Sequence, residues 1–193
     1  MIESSNFRQI NEIESKIISK SLFNISPNIL KILKRSEKKL YISIRESNLK
    51  TNYPILYLIS NIFQKNIDLL EVKDMIYSAG LYFGFLKKGN FYLSLEGAEF
   101  LYKQRIISDI KRIYVNKKGE KSILYGNNIL KNMVIKTSNN LQKKDFLLVF
   151  NEMNEIIAIG KSKVESNVLQ YLKPKDIIAF NLSDKGIYLR EKQ

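Results

Sequence analysis

Lys161 and Lys163 stand two residues apart at the end of the apolar run EIIAIGKSK, residues 155–163. Side chains two apart on a strand share one face, so this pair can address a phosphate backbone together. Lys173 and Lys175 repeat the spacing around Pro174, just ahead of a second apolar run at 177–180. Lys131 and Lys136 flank a turn at Asn132-Met133-Val134 and extend the basic surface. Asparagine is the next-best tolerated residue after glycine at positive φ, so Asn132 can serve in a tight turn; the competing reading is that Gly126 and Asn132 only cap a short helix. The chemistry on offer is electrostatic: ammonium groups that hold and position a phosphate strand without reading its sequence. For Lys163, Lys173 and Lys175 the competing reading is a merely solvated rim. Lys117, Lys118 and Lys121 read as solubility charges around a hairpin turn. Lys143-Lys144 reads as a guard that keeps the entrance of the next strand from aggregating.

Covalent chemistry has little to work with. The chain has no histidine, cysteine or tryptophan. Missing histidine removes the commonest general base and transition-metal ligand, and with it serine–histidine and cysteine–histidine catalysis. Missing cysteine removes disulfides and thiolate zinc sites, and suits a reducing cytosol. Glu96 and Glu99 lie one helical turn apart, and Asp74 is near Glu71, but no third carboxylate converges on either pair. They read as helix-surface acids. No glycine-rich phosphate loop is present; residues 87–90, KKGN, form a hairpin turn. The expectation is a non-enzyme with no catalytic residue, metal or cofactor.

The charge balance asks for a partner. Thirty-two Lys and Arg face 19 Asp and Glu, a net +13, and such self-repulsion is naturally kept for a large polyanion. The charge is denser after residue 108, with +7 over 85 residues against +6 over the first 108. The N-terminus carries acids and no apolar core, unlike a signal peptide. The longest apolar window, 75–86, is too short for a membrane span and is broken by Ser78, Gly80 and Gly84. A soluble, cytoplasmic protein is expected, and the isoleucine- and lysine-rich composition suggests an archaeal source.

The elements that must position these lysines fall into two sets. Residues 7–22 read as a helix, with Ile10, Ile13, Ile17, Ile18 and Phe23 as its stripe and Ser4 or Ser5 as its cap. Residues 29–33 and 40–45 read as a hairpin around a polar turn at 34–39. A strand at 53–58 and a helix at 61–70 capped by Ser60 follow. Strands at 80–87 and 90–94 meet at Lys88-Gly89, and Ser94 caps a helix reaching about residue 105. Alternation puts Phe83 and Phe85 on one face, towards helices. Tyr82 and Tyr92 are the more exposed rings, and base stacking on this sheet is the weaker reading beside core packing. Beyond residue 112 come short strands with turns at 117–119, 151–154 and 184–186, the spacing of a small closed barrel. One helix is expected near Asn127 and another at 165–171. Thus 1–107 should be an α+β domain, an antiparallel sheet with flanking helices, and 108–193 a small β-barrel domain.

A resemblance sharpens this. SILYGNNILK (122–131), DFLLVF (145–150), EIIAIGKSK (155–163) and DIIAFNLSDKGIYLR (176–190) together resemble a PUA domain. SAGLYFGFLKKGNFYLSLEGAEFL (78–101) resembles the N-terminal domain of the Nip-seven family of large-ribosomal-subunit biogenesis factors. The resemblance runs from about residue 53 to 190. It implies a PUA-type barrel whose basic side chains, Lys161 foremost, hold single-stranded uridine-rich RNA such as pre-ribosomal RNA. It further implies protein partners from the pre-ribosome or exosome. PUA domains usually have glycine where this chain has Asn132. An RNA-modifying enzyme would need a catalytic domain with a reactive aspartate, which the first hundred residues do not display. A protein–protein adaptor with little RNA affinity is the other alternative. The oligomeric state is not indicated.

Overall fold

The computed structural model describes residues 5–35, 37–45, 53–63, 76, 78–107 and 109–190. The chain divides into two compact units, Met1–Ile107 and Ser108–Gln193. Of the predicted helix at 61–70, residues 61–63 are helical and the rest lies outside the described residues, as do Glu71 and Asp74. Among the described residues no helix is long and apolar enough to cross a membrane.

The first unit is a five-stranded antiparallel sheet in sequential order. Its strands are β1 (Ser5–Gln9), β2 (Lys38–Arg45), β3 (Ile55–Ser60), β4 (Leu81–Lys87) and β5 (Asn90–Leu93). Helices α1 (Glu12–Phe23), α2 (Asn28–Arg35) and α3 (Leu95–Lys103) accompany it. Two expectations fail here. Residues 5–9 are a strand, paired from Ser5↔Arg45 to Gln9↔Tyr41, and not the first turns of a helix. The helix starts at Asn11, where a capping box closes it: Asn11 Oδ1 accepts from the Glu14 N–H at 2.8 Å, and Glu14 Oε2 accepts from the Asn11 N–H at 2.8 Å. The proposed hairpin fails too. Ile29, Leu30 and Leu33 have helical spacing, and 28–35 is helix, while 38–45 is a strand as expected.

Arg8 on β1 clamps Glu14 with Nη1 and Nη2, at 2.9 and 2.7 Å. That hydrogen bonding, aided by the Asn11 N–H, holds the Glu14 carboxyl below its ordinary range against the opposing effect of partial burial. A lowered carboxyl pKa contributes stability that is present above the unfolded value and lost as pH falls through the folded one. Glu14→Gln is therefore expected to flatten the acid limb: thermal melts at descending pH should lose less across that window than the unsubstituted chain does.

The β4–β5 hairpin is as read, with Lys88 (φ 48°) and Gly89 (φ 70°) both left-handed, as a two-residue turn of this twist requires. Ser94 Oγ accepts from the Gly97 N–H at 2.9 Å and caps α3. A bulge overturns the simple alternation on β4. Leu56 pairs with Gly84 but Tyr57 pairs with Tyr82, which leaves Phe83 as the extra residue. Phe83 therefore stacks in the core on Phe91, at 5.8 Å, while Phe85 stacks on Tyr92, at 5.2 Å, on the other face. Gly84 permits this: its φ is 154°, and a Cβ there would meet the Tyr92 carbonyl oxygen at 2.1 Å. Tyr92 is exposed as expected. Tyr82 is half-buried against Tyr57, beside the buried Phe7 and Tyr41.

The second unit is a nearly closed barrel of six strands, order β7-β11-β10-β9-β6-β8. These are β6 (Lys111–Val115), β7 (Ile129–Leu130), β8 (Val134–Thr137), β9 (Phe146–Phe150), β10 (Ile156–Ser162) and β11 (Ile177–Asp184). All pairings are antiparallel except β6 with β9. Ile113, Val115, Leu147, Val149, Ile157 and Ile178 fill it, and Ile123 of helix α4 (Lys117–Leu124) joins them. That helix replaces both the hairpin turn expected at 117–119 and the helix expected near Asn127. Asn116 Oδ1 caps it on the Gly119 N–H at 2.8 Å. Gly119 is inside a helix because a Cβ would collide with Met133 at 2.6 Å. Gly126 (φ 88°) ends the helix, with the Gly126 N–H on the Ile123 carbonyl and the Asn127 N–H on that of Ser122. The turn at 151–154 is as read, and 3-10 turns occupy Lys131–Met133 and Ser166–Tyr171.

Candidate nucleic-acid interface

Main-chain pairing, and not proximity in sequence, decides which lysines meet. The end of β7 lies beside the start of β11: the Lys131 N–H donates to the Asp176 carbonyl at 2.9 Å, and the Asn132 N–H to the Pro174 carbonyl at 3.0 Å. The end of β10 lies on the other side of β11, with the Lys163 N–H on the Ile178 carbonyl at 2.8 Å. The start of β9 follows, where the Lys144 N–H donates to the Ser162 carbonyl at 2.9 Å. One rim of the barrel thus gathers 131–132, 143–145, 161–163 and 173–176, segments carrying seven lysines and two acids.

Local structure aims the central pair outward. Ser162 is buried, and its hydroxyl donates to the Val164 carbonyl at 2.6 Å. Pinning that residue inward leaves Lys161 and Lys163 exposed on either side. Lys161 pairs with Phe146 on β9 and Phe180 on β11. Both acids of the rim are occupied with main chain: Asp176 Oδ2 accepts from the Lys173 N–H at 2.8 Å, and Asp145 Oδ2 from the Gln142 N–H at 2.7 Å. Lys173 and Lys175 are exposed.

Two expected residues behave differently. Asn132 is not left-handed: the positive-φ residues other than glycine are Lys88, Arg105, Lys144 and Asn154 among the described residues. It lies in a 3-10 turn that hydrogen-bonds to neighbours on both sides, its carbonyl accepting from Asn116 Nδ2 at 3.0 Å, so no glycine-like conformation is needed. Lys136 lies on β8 opposite Tyr114, in a shallow hollow of about 310 Å³ shared with Arg112 and Ser138, and not among the rim segments. Conversely, Lys143 and Lys144, read from sequence as strand guards, stand on the rim. Their position at the entrance of β9 was legible, but its closeness to the end of β10 was not.

The far end of β11 is held differently. Asp184, 2% exposed, accepts from Arg190 Nη1 and Nη2, each at 3.0 Å, from the Gly186 N–H at 2.9 Å and from Asn181 Nδ2 at 2.9 Å. Arg190 also donates to the Leu124 carbonyl, tying the C-terminal turn to α4. This cluster is structural. No group of three or more acids, His or Cys that could hold a metal occurs among the described residues.

Residues 111–193 match the model of the family described as UPF0113 PUA domain. The C-terminal unit is similar to the PUA domain of that family. The chain is 31% identical over 103 residues to the UPF0113 protein of Archaeoglobus fulgidus, which is 53% of this chain and 56% of that protein. It is 32% identical over 117 residues to the 60S ribosome subunit biogenesis protein NIP7 of Saccharomyces cerevisiae, covering 60% and 62%. The matched stretch therefore spans less than two thirds of either relative. A Dictyostelium discoideum NIP7 homolog aligns over 188 residues at 23% identity, covering 96% and 98%. The resemblance to the Nip-seven family is thereby borne out. Among solved structures, a hypothetical protein of Pyrococcus horikoshii OT3 superposes with a TM-score of 0.63 at 12% identity, covering 96% of this chain and 98% of that one. A PUA domain of Aeropyrum pernix K1, a tartrate complex, superposes with 0.59 at 14%, covering 98% and 91%. These two agree with the fold, an α+β unit followed by the PUA domain's barrel.

Proposed function

We propose that the chain is a non-catalytic RNA-binding factor of large-ribosomal-subunit assembly. Its PUA domain grips single-stranded, uridine-rich RNA such as pre-ribosomal RNA, through Lys161, Lys163, Lys173, Lys175 and Lys131, with Asn132 on the same rim and Lys136 outside it. The observation that carries this is the convergence of four separate lysine-bearing segments on one rim, where Asp145 and Asp176, the two acids of those segments, are turned to backbone amides. Relatives named as ribosome subunit biogenesis proteins support the assembly role. Protein partners of the pre-ribosome or exosome complete the reading, set in a cytoplasmic compartment. Neither catalysis nor a cofactor enters it.

A mobility-shift assay with short oligouridylate and oligoadenylate tests the reading. Binding to both is expected, tighter for uridylate, with log affinity falling against log salt at a slope of roughly −3 to −4 for four to six neutralised phosphates on a single strand. Binding to neither would leave a protein adaptor as the better description. Turnover of the RNA by the purified chain would revive an RNA-modifying enzyme.

A further inference from the structure

The first unit carries an exposed aromatic ladder that the rim does not use. Phe85 on β4 lies flat against Tyr92 on β5, with ring centroids 5.2 Å apart and planes 10° from parallel. On its other side Phe85 meets Tyr53, at 5.8 Å and 31°. Tyr53 is 39% exposed and Tyr92 44%. The ladder is built and not incidental. The Leu86 N–H donates to the Pro54 carbonyl at 2.9 Å, which fixes the chain beside Tyr53 against β4. The bulge at Phe83 and the left-handed Gly84 turn Phe85 out of the core onto this face.

Cations frame the rings. Lys87 Nζ sits 4.6 Å from the centroid of Tyr53, and Lys88 is exposed on the adjoining turn. Hydrogen bonding to Tyr53 holds the Lys87 ammonium pKa above its ordinary value. The segments that make the ladder, 53–60, 81–87 and 90–93, contain no acidic residue. Stacked rings with cations at one end and no carboxylate suit a ligand that is flat, π-faced and anionic.

We propose that Tyr53, Phe85 and Tyr92 form a base-stacking platform for single-stranded RNA, with Lys87 and Lys88 taking the adjoining phosphates. This second contact is independent of the barrel rim; only the choice of RNA over DNA rests on the proposed function. Unpaired bases can lie on Tyr53 and Tyr92, whereas the stacked bases of a duplex cannot reach them.

The chain has no tryptophan, so Tyr92→Trp in the full-length protein places a single indole reporter on the platform. Titration with a fluorescein-labelled eight-residue oligouridylate reads emission at the platform and anisotropy of the RNA separately. Tryptophan emission is expected to quench saturably, and to do so also after the rim lysines Lys161 and Lys163 are changed to alanine. Tyr92→Leu, which keeps an apolar side chain without a π-face, should weaken binding to that rim-less protein about tenfold, as for one lost stacking contact. Anisotropy that reports binding while the indole stays silent overturns the platform and leaves the rim standing. Equal affinity of the Tyr92→Leu and parent rim-less chains, or no RNA response in either signal, overturns it as well. Failure of the rim shows differently, as a salt slope indifferent to its lysines.

Discussion

Changing Lys161, Lys163, Lys173 and Lys175 together to alanine is expected to weaken oligouridylate binding by about 10²–10³-fold at ~0.1 M salt. Each lysine that neutralises a phosphate on a single strand adds about 0.7 to the slope of log affinity against log salt, so four removals should flatten it by about 3. The loss should be nearly uniform across sequences, because phosphate contacts position a strand without reading it. These side chains are exposed, so the fold should not change; surface substitutions generally stay within about 0.5 kcal/mol each. Restoring Lys161 and Lys163 alone should recover about half of the lost slope. A slope that survives the fourfold change would move RNA binding away from the rim.

The second large effect concerns stability. Asp184→Ala should cost roughly 3 kcal/mol, the lower part of the range for breaking a buried ion pair, because Arg190 keeps a third of its side chain in water. The substitution removes more than the ion pair: the Gly186 N–H loses its side-chain acceptor, and Asn181 Nδ2 keeps only the Ile123 and Asn127 carbonyls. For a unit of this size that corresponds to a fall in Tm of roughly 12–24 °C, read by circular-dichroism melting. Asp184→Leu with Arg190→Leu should lose less than Asp184→Leu alone, since no charge is then left without its partner. An Asp184→Ala chain that melts within about 2 °C of the parent, against that expected shift, would show the cluster to be ornamental.

Where the sequence was legible, the signal was local. Lys88-Gly89 between alternating apolar residues dictated a left-handed two-residue turn, and Ser94 three residues ahead of Gly97 dictated a cap. Where it misled, a distant partner overruled local preference. Residues 5–9 have no strong pattern of their own; β2 makes them a strand, and the real helix signal was the Asn11–Glu14 box further on. Lys117-Lys118-Gly119 looks like a turn because it contains glycine, yet that glycine makes room for Met133 from the next segment. Phe83 and Phe85 parted because β3 and β4 slip by one residue, which no count along β4 alone reveals.

The sequence alone determined the excess of positive charge, the absence of histidine and cysteine chemistry, and the strand-rich second half, since each follows from composition or from neighbours a few residues apart. Only the tertiary structure decided that Lys131, Lys144, Lys163 and Lys175 share a rim while Lys136 stands off it, and that Phe85 faces Tyr92 and not Phe83. Those placements depend on hydrogen-bonded registers between strands tens of residues apart, where a slip of one position turns a side chain to the opposite face.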